Sequence, residues 1–211
     1  MMNEGTIRRK YSNCCAQSFK TRLELFLFKK ALDGGGDIYG FSEKEFMDYR
    51  LKDKDIEKYA GVYWQQRYDY QIDGKVKVDN IYSVIQNHKL NHSKKIIDLK
   101  KSYAENFHKI LPYEAIKELL QGKKCEYCNL TPDDIDKLTD NKKIYKKKDT
   151  RGFTLEIDRK EANKEYASDN IVLCCYWCNN AKTDEFSYKE FKEVIGPAIQ
   201  NVWEARLKNS I

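Results

Sequence analysis

The sequence predicts an α+β fold: a mainly helical N-terminal region over residues 1–110, then a cysteine-bearing unit of strand, turn, strand and helix over 111–211. Three observations predict it. Apolar residues in the first half recur near the helical period, as in residues 17–32. The segments FTLEIDR and DNIVLCC alternate or run apolar like two half-buried strands. Cys125-x-x-Cys128 and Cys175-x-x-Cys178 have 46 residues between them, so two thiol turns flank those strands.

Along the chain, residues 17–32 place Phe19, Leu23, Phe26, Leu27 and Leu32 on one stripe, with basic residues flanking it, and Gly34-Gly35-Gly36 is expected to end that helix as a flexible turn. Ser42-x-x-Glu45 is the signature of a capping box opening a short helix through Phe46 and Tyr49. Residues 53–110 are charged, tyrosine-rich and mostly helical in pattern, with a turn expected at Asp73-Gly74. Tyr63, Trp64, Tyr68 and Tyr70 beside Arg67 are expected to pack a core rather than stack on bases. His88 and His92, four apart, have no acidic or cysteine neighbour in sequence and are expected at the surface.

Leu111-Pro112 breaks the pattern and marks the domain boundary; YEAIKELLQG then predicts a helix stopped by Gly122. Thr131-Pro132-Asp133-Asp134 combines a cap, a first-turn proline and acids at the positive helix end. A basic run follows, Lys142, Lys143, Lys146, Lys147, Lys148 and Arg151, expected as a solvated loop able to contact phosphates. After the strands, Ser187-x-x-Glu190 is another capping box, Gly196-Pro197 is expected to punctuate, and AIQNVWEARL predicts a terminal amphipathic helix.

The bulk composition limits the function classes. Over 211 residues, 41% are hydrophobic and 34% charged, which excludes a disordered chain. The net charge of +6 permits a polyanionic partner without requiring one. No run reaches the ~18–20 apolar residues of a membrane span. The N-terminus lacks a secretory apolar stretch. Seven cysteines, an odd number, fit a metal pattern better than a disulfide framework, so a cytoplasmic protein with reduced thiols is expected. Cys14, Cys15 and Cys174 are left as small buried hydrophobes.

Two Cys-x-x-Cys turns complete a tetrahedron of thiolates suited to zinc. With Leu155-Glu156-Ile157-Asp158, Asp169-Asn170-Ile171-Val172-Leu173 and Cys178-Asn179-x-x-Lys182 in this order, residues 111–208 resemble the HNH endonucleases of the ββα-metal class. The resemblance implies a structural zinc on Cys125, Cys128, Cys175 and Cys178. It implies a catalytic divalent cation, Mg²⁺ or Mn²⁺, held by Asp158 and Asn179, and an Asn170 that fixes the turn between the strands. DNA is the implied partner, cut at phosphodiester bonds, with Lys182 one turn beyond Asn179 where it meets a phosphate.

The chemistry of the residues agrees. A carboxylate and an amide oxygen are hard ligands suited to such a cation. Strand alternation puts Glu156 and Asp158 on one face. The departure is Arg159, which stands where the family has a histidine acting as general base. An arginine cannot take a proton from water but can clamp a phosphate. The base is left open among Glu156, Glu161, Glu165, His108 and water activated by the cation itself. Alternatives to an endonuclease are a zinc-stabilised nucleic-acid-binding module whose catalysis is lost, and the nuclease subunit of a larger bacterial or phage defence complex with residues 1–110 binding a protein partner.

Overall fold

The computed structural model of the protein describes residues 3–33, 40–50, 93–144, 151–183 and 185–208. The glycine triplet, the Tyr63–Tyr70 aromatic cluster, the turn at Asp73-Gly74, His88, His92 and Lys146–Lys148 lie outside them. By its contacts the chain divides into two units. A helical unit takes Cys15–Lys109 and Asn163–Glu165; a cysteine unit takes Met1–Cys14, Ile110–Ala162 and Tyr166–Ile211. The architecture is α+β, mostly helical with one two-stranded sheet.

Helix α1, Glu4–Asp33, is longer than the periodicity predicts. Residues 4–14 lack an apolar stripe and are held by side-chain contacts within the cysteine unit. Tyr11 donates to the Leu111 carbonyl at 3.1 Å and sits edge-on to Tyr113 at 5.3 Å, Tyr113 donates to Glu4 at 2.8 Å, and Lys10 donates to the Leu155 carbonyl at 3.2 Å. In the helical unit, the apolar stripe of α1 packs with α2, Glu43–Asp48, and α3, Ser93–Asn106, around an aromatic core. Phe26 meets Phe41, Phe46 and Tyr49 edge-on at centroid separations of 4.9, 5.5 and 5.5 Å. Ser42 and Glu45 form the reciprocal cap that opens α2.

Arg22 is buried in the same unit. It forks onto Glu165 at 3.0 and 2.8 Å, donates to the carbonyls of Phe46 and Met47, and lies over the Tyr103 ring at 5.4 Å. Tyr103 donates to the same Glu165 carboxylate. The buried guanidinium thus has a carboxylate counter-charge and two carbonyl acceptors, the condition under which such a charge is tolerated.

The cysteine unit is built from α4, Tyr113–Leu119; α5, Pro132–Asp140; β1, Glu156–Arg159; β2, Ile171–Cys174; and α6, Tyr176–Lys182. Thr131 and Asp134 cap α5 reciprocally, with Pro132 in its first turn. The strands are antiparallel in the register Glu156–Cys174, Ile157–Leu173, Asp158–Val172 and Arg159–Ile171. Pairing begins only at Glu156, so the expected strand from Phe153 is shorter, and Phe153 and Thr154 are exposed. Ile135, Leu138, Leu155, Val172, Leu173, Phe191 and Trp203 bury against the four motif cysteines in one core.

One expectation is overturned at the C-terminus. Gly196-Pro197 does not stop the helix: α7, Tyr188–Glu190, passes through a π turn, Phe191–Ile195, into α8, Gly196–Leu207. Pro197 falls in the first turn of α8, where its missing N–H matters least. The glycine serves close approach instead: a Cβ there would stand 2.4 Å from the Tyr127 carbonyl oxygen, inside the first cysteine knuckle.

Candidate metal centre and adjoining carboxylate site

The first knuckle is a tight turn closed by Asn129 N–H to the Cys125 carbonyl at 3.0 Å, with Asn129 in the left-handed region at φ 58°. Glu126 N–H donates to the Leu173 carbonyl at 2.8 Å, stitching that knuckle to β2. The second knuckle is the entry to α6, where Cys175 caps the helix and its sulfur accepts from Cys178 N–H. These two anchors bring together thiols separated by 46 intervening residues. All four sulfurs lie within 4.8 Å of one another, and Cys128 Sγ is 3.7 Å from Cys175 Sγ.

That separation is far above the ~2.05 Å of a disulfide. It matches the roughly 3.8 Å edge of a tetrahedron whose centre-to-sulfur distance is about 2.3 Å, the zinc–thiolate value. Cys125 is held well below its ordinary pKa by S–H bonds from Cys128, Cys175 and Cys178. Cys175 and Cys178 are pushed up, chiefly by the same thiol–thiol hydrogen bonds. A divalent cation offsets the repulsion among thiolates gathered this closely. The donor set fits zinc. Among the described residues, no other group of three or more His, Cys, Asp or Glu side chains gathers in this way.

Next to the cysteines, β1 presents its two carboxylates to α6. Asn179 Nδ2 donates to Glu156 Oε2 at 2.7 Å, and Lys182 Nζ stands 3.5 Å from Asp158 Oδ2. Positions i and i+2 of the strand thereby face positions i and i+3 of the helix. Arg151 also forks onto Glu156, through Nε at 2.9 Å and through Nη2, while its guanidinium lies 5.0 Å from the Tyr176 ring. Tyr127, between the first two cysteines, donates to Asp158 Oδ2 at 2.8 Å. Burial and the adjacent Asp158 push its phenol well above the ordinary tyrosine value, so it remains a donor.

The remaining candidates divide between the units. Asn170 Oδ1 accepts from Glu161 N–H at 2.8 Å and its Nδ2 donates to the Glu161 carbonyl at 3.2 Å, closing the turn between the strands. Arg159 lies over the Tyr166 ring at 5.1 Å. Glu165 and His108 belong to the helical unit; Glu165 is engaged by Arg22 and Tyr103, and His108 is exposed beside the Glu105 carbonyl. Lys182, expected where it could meet a phosphate, is buried, its ammonium donating to the Arg159 carbonyl at 2.8 Å. Tyr127 and Lys10 are the members that the sequence did not single out.

The oxygens of Asp158 and Asn179 that none of these contacts uses are Asp158 Oδ1 and Asn179 Oδ1. Both polar partners of Asp158 fall on Oδ2, and the Asn179 amide uses its N–H₂ on Glu156. A carboxylate and an amide oxygen are the hard donor types that Mg²⁺ or Mn²⁺ takes.

No family model matches the sequence, and no curated protein matches it. Among solved structures the chain is similar to the rare-cutting HNH restriction endonuclease PacI, described for its mechanism of DNA perturbation. Identity is 27% over 42% of this chain, with a TM-score of 0.35, and the match spans 58% of that chain. Among the described residues no helix is long and apolar enough to cross a membrane.

Proposed function

We propose that the chain is a zinc-stabilised endonuclease of HNH type that hydrolyses phosphodiester bonds in DNA. The observation that carries this reading is the packing of the β1–β2 hairpin on α6, with Asp158, Glu156 and Asn179 gathered beside a four-cysteine cluster. Zinc on Cys125, Cys128, Cys175 and Cys178 holds the hairpin and helix in place. Asp158 and Asn179 hold a Mg²⁺ or Mn²⁺ ion, which when bound supplies charge stabilisation to the phosphate and the leaving oxygen. Arg159 grips the scissile phosphate. Glu156 positions Asn179 by accepting its amide N–H. Arg151 and Lys146–Lys148 contact flanking phosphates, which raises affinity without reading sequence. Of the candidate bases, Glu161 has an exposed side chain, and Asn170 fixes its backbone beside the strands.

The test is cleavage of supercoiled plasmid by the zinc-loaded protein with Mg²⁺ or Mn²⁺. Asp158→Ala is expected to lower the rate about a hundredfold or more. Arg159→Ala is expected to lower it as well. No cleavage by the wild type, with zinc confirmed, sinks the proposal.

A second reading, a catalytically silent DNA-binding module, is favoured by one observation: Arg159 occupies the base position and a lysine ammonium faces Asp158. Salt-sensitive DNA binding that survives Asp158→Ala, with no cutting under any condition, would select it.

A further inference from the structure

Asp158 is approached by two groups, and both meet the same oxygen. Tyr127 donates to Oδ2 at 2.8 Å, and the Lys182 ammonium stands 3.5 Å from it. The Lys182 side chain is 2% exposed and that of Asp158 14%, so the positive end lies beneath the carboxylate rather than at the surface. Its other partner is the Arg159 carbonyl at 2.8 Å, at the end of β1. A buried ammonium needs a counter-charge, and a contact with a phosphate would require this one to leave both partners and the core.

We propose that Lys182 is the internal counter-ion of Asp158, a positioning residue and not a contact to nucleic acid. It joins α6 to the end of β1 and draws Oδ2 inward, so that Oδ1 is the oxygen offered outward. Its charge then opposes a divalent cation at that oxygen: the lysine and the cation compete for one carboxylate. The competition rests on the reading of Asp158 as a cation ligand; the pairing does not.

Three measurements on the zinc-loaded full chain decide it. The first is a melting cycle without added divalent cation, comparing wild type, Asp158→Asn, Lys182→Gln and the double variant. Each single change leaves a buried group without its partner, so each is expected to lower the melting temperature by about 5 °C or more, the double change by clearly less than their sum. Additive shifts overturn the pairing. Lys182→Met repeats the cycle should the glutamine variant fail to fold.

The second is Mn²⁺ binding followed by electron paramagnetic resonance. Removing a positive charge this close to the ligand is expected to tighten binding about tenfold in Lys182→Gln. A merely structural lysine would not produce tightening; unchanged or weaker binding overturns the competition. The third is the salt dependence of DNA binding. The slope is expected to be that of the wild type, whereas a slope smaller by about one phosphate contact restores a nucleic-acid role and overturns the proposal. No Mn²⁺ binding by the wild type defeats the cation reading of Asp158 and the competition with it, while the melting cycle still decides the pairing.

Discussion

Asn170 uses one side chain to do what a pair of backbone groups does in a sheet. It accepts from Glu161 N–H and donates to Glu161 C=O, and it is itself 6% exposed, so water is a poor substitute. Asn170→Ala leaves two partly buried backbone groups without partners and is expected to lower stability by about 1–3 kcal/mol in urea melts. Asn170→Asp keeps only the acceptor and is expected to fall between. Arg22 is the corresponding residue of the helical unit. Arg22→Met removes both guanidinium donors to Glu165, leaving that carboxylate with the Tyr103 hydroxyl but without its counter-charge, and is expected to destabilise by about 3–5 kcal/mol, read from the same melts. Asn170 was expected to hold this turn from the resemblance of its motif, and its partner Glu161 lies only nine residues away. Arg22 and Glu165 are 143 residues apart, and nothing local in either segment announces the other. Tyr127 went unread because two thiols and a turn are all a Cys-x-x-Cys motif needs; its bond to Asp158 appears only once the knuckle is set against β1.

At the scale of elements, the capping boxes expected at Ser42 and Ser187 and the cap expected at Thr131 all form, and the last is reciprocal as well. Their partners are three residues apart, so local geometry alone decides them. Thr131→Ala is expected to lower stability by about 1 kcal/mol, measured by urea denaturation. Gly196 shows the opposite case. In an unobstructed helix, glycine to alanine is favourable by up to about 1 kcal/mol. Here the new Cβ would meet the Tyr127 carbonyl oxygen at 2.4 Å and its carbon at 2.9 Å, both backbone atoms of the knuckle. The clash wins: Gly196→Ala is expected to destabilise by about 1–3 kcal/mol and to speed zinc loss to a chelator. The same sequence letters that suggest a stop in a linear reading mark a packing contact in the folded one.

For the molecule as a whole, the cysteine cluster lies within the core of the cysteine unit. Its small core includes the four thiols themselves, and Trp177 packs on Trp203 at 5.4 Å beside them. Structural zinc binds with apparent free energies of roughly 10–16 kcal/mol, comparable to or larger than the roughly 5–15 kcal/mol stability of a whole domain. Chelation, or Cys128→Ser, is expected to unfold this unit, seen as a red shift in tryptophan emission together with stoichiometric zinc release. Because Cys175 and Cys178 must lose protons to bind, the apparent zinc affinity is expected to fall as the pH is lowered. By itself the sequence determined the α+β class, the two strands, the caps and the four-cysteine cluster, because each follows from periodicity, short spacing or ligand chemistry. Only the tertiary structure decided that residues 4–14 continue a helix, that Gly196 is a contact, that Tyr127 reaches Asp158, and that Lys182 points inward. Those outcomes depend on which surfaces meet and on how a buried charge finds its partner, and neither is written in the neighbourhood of any one residue.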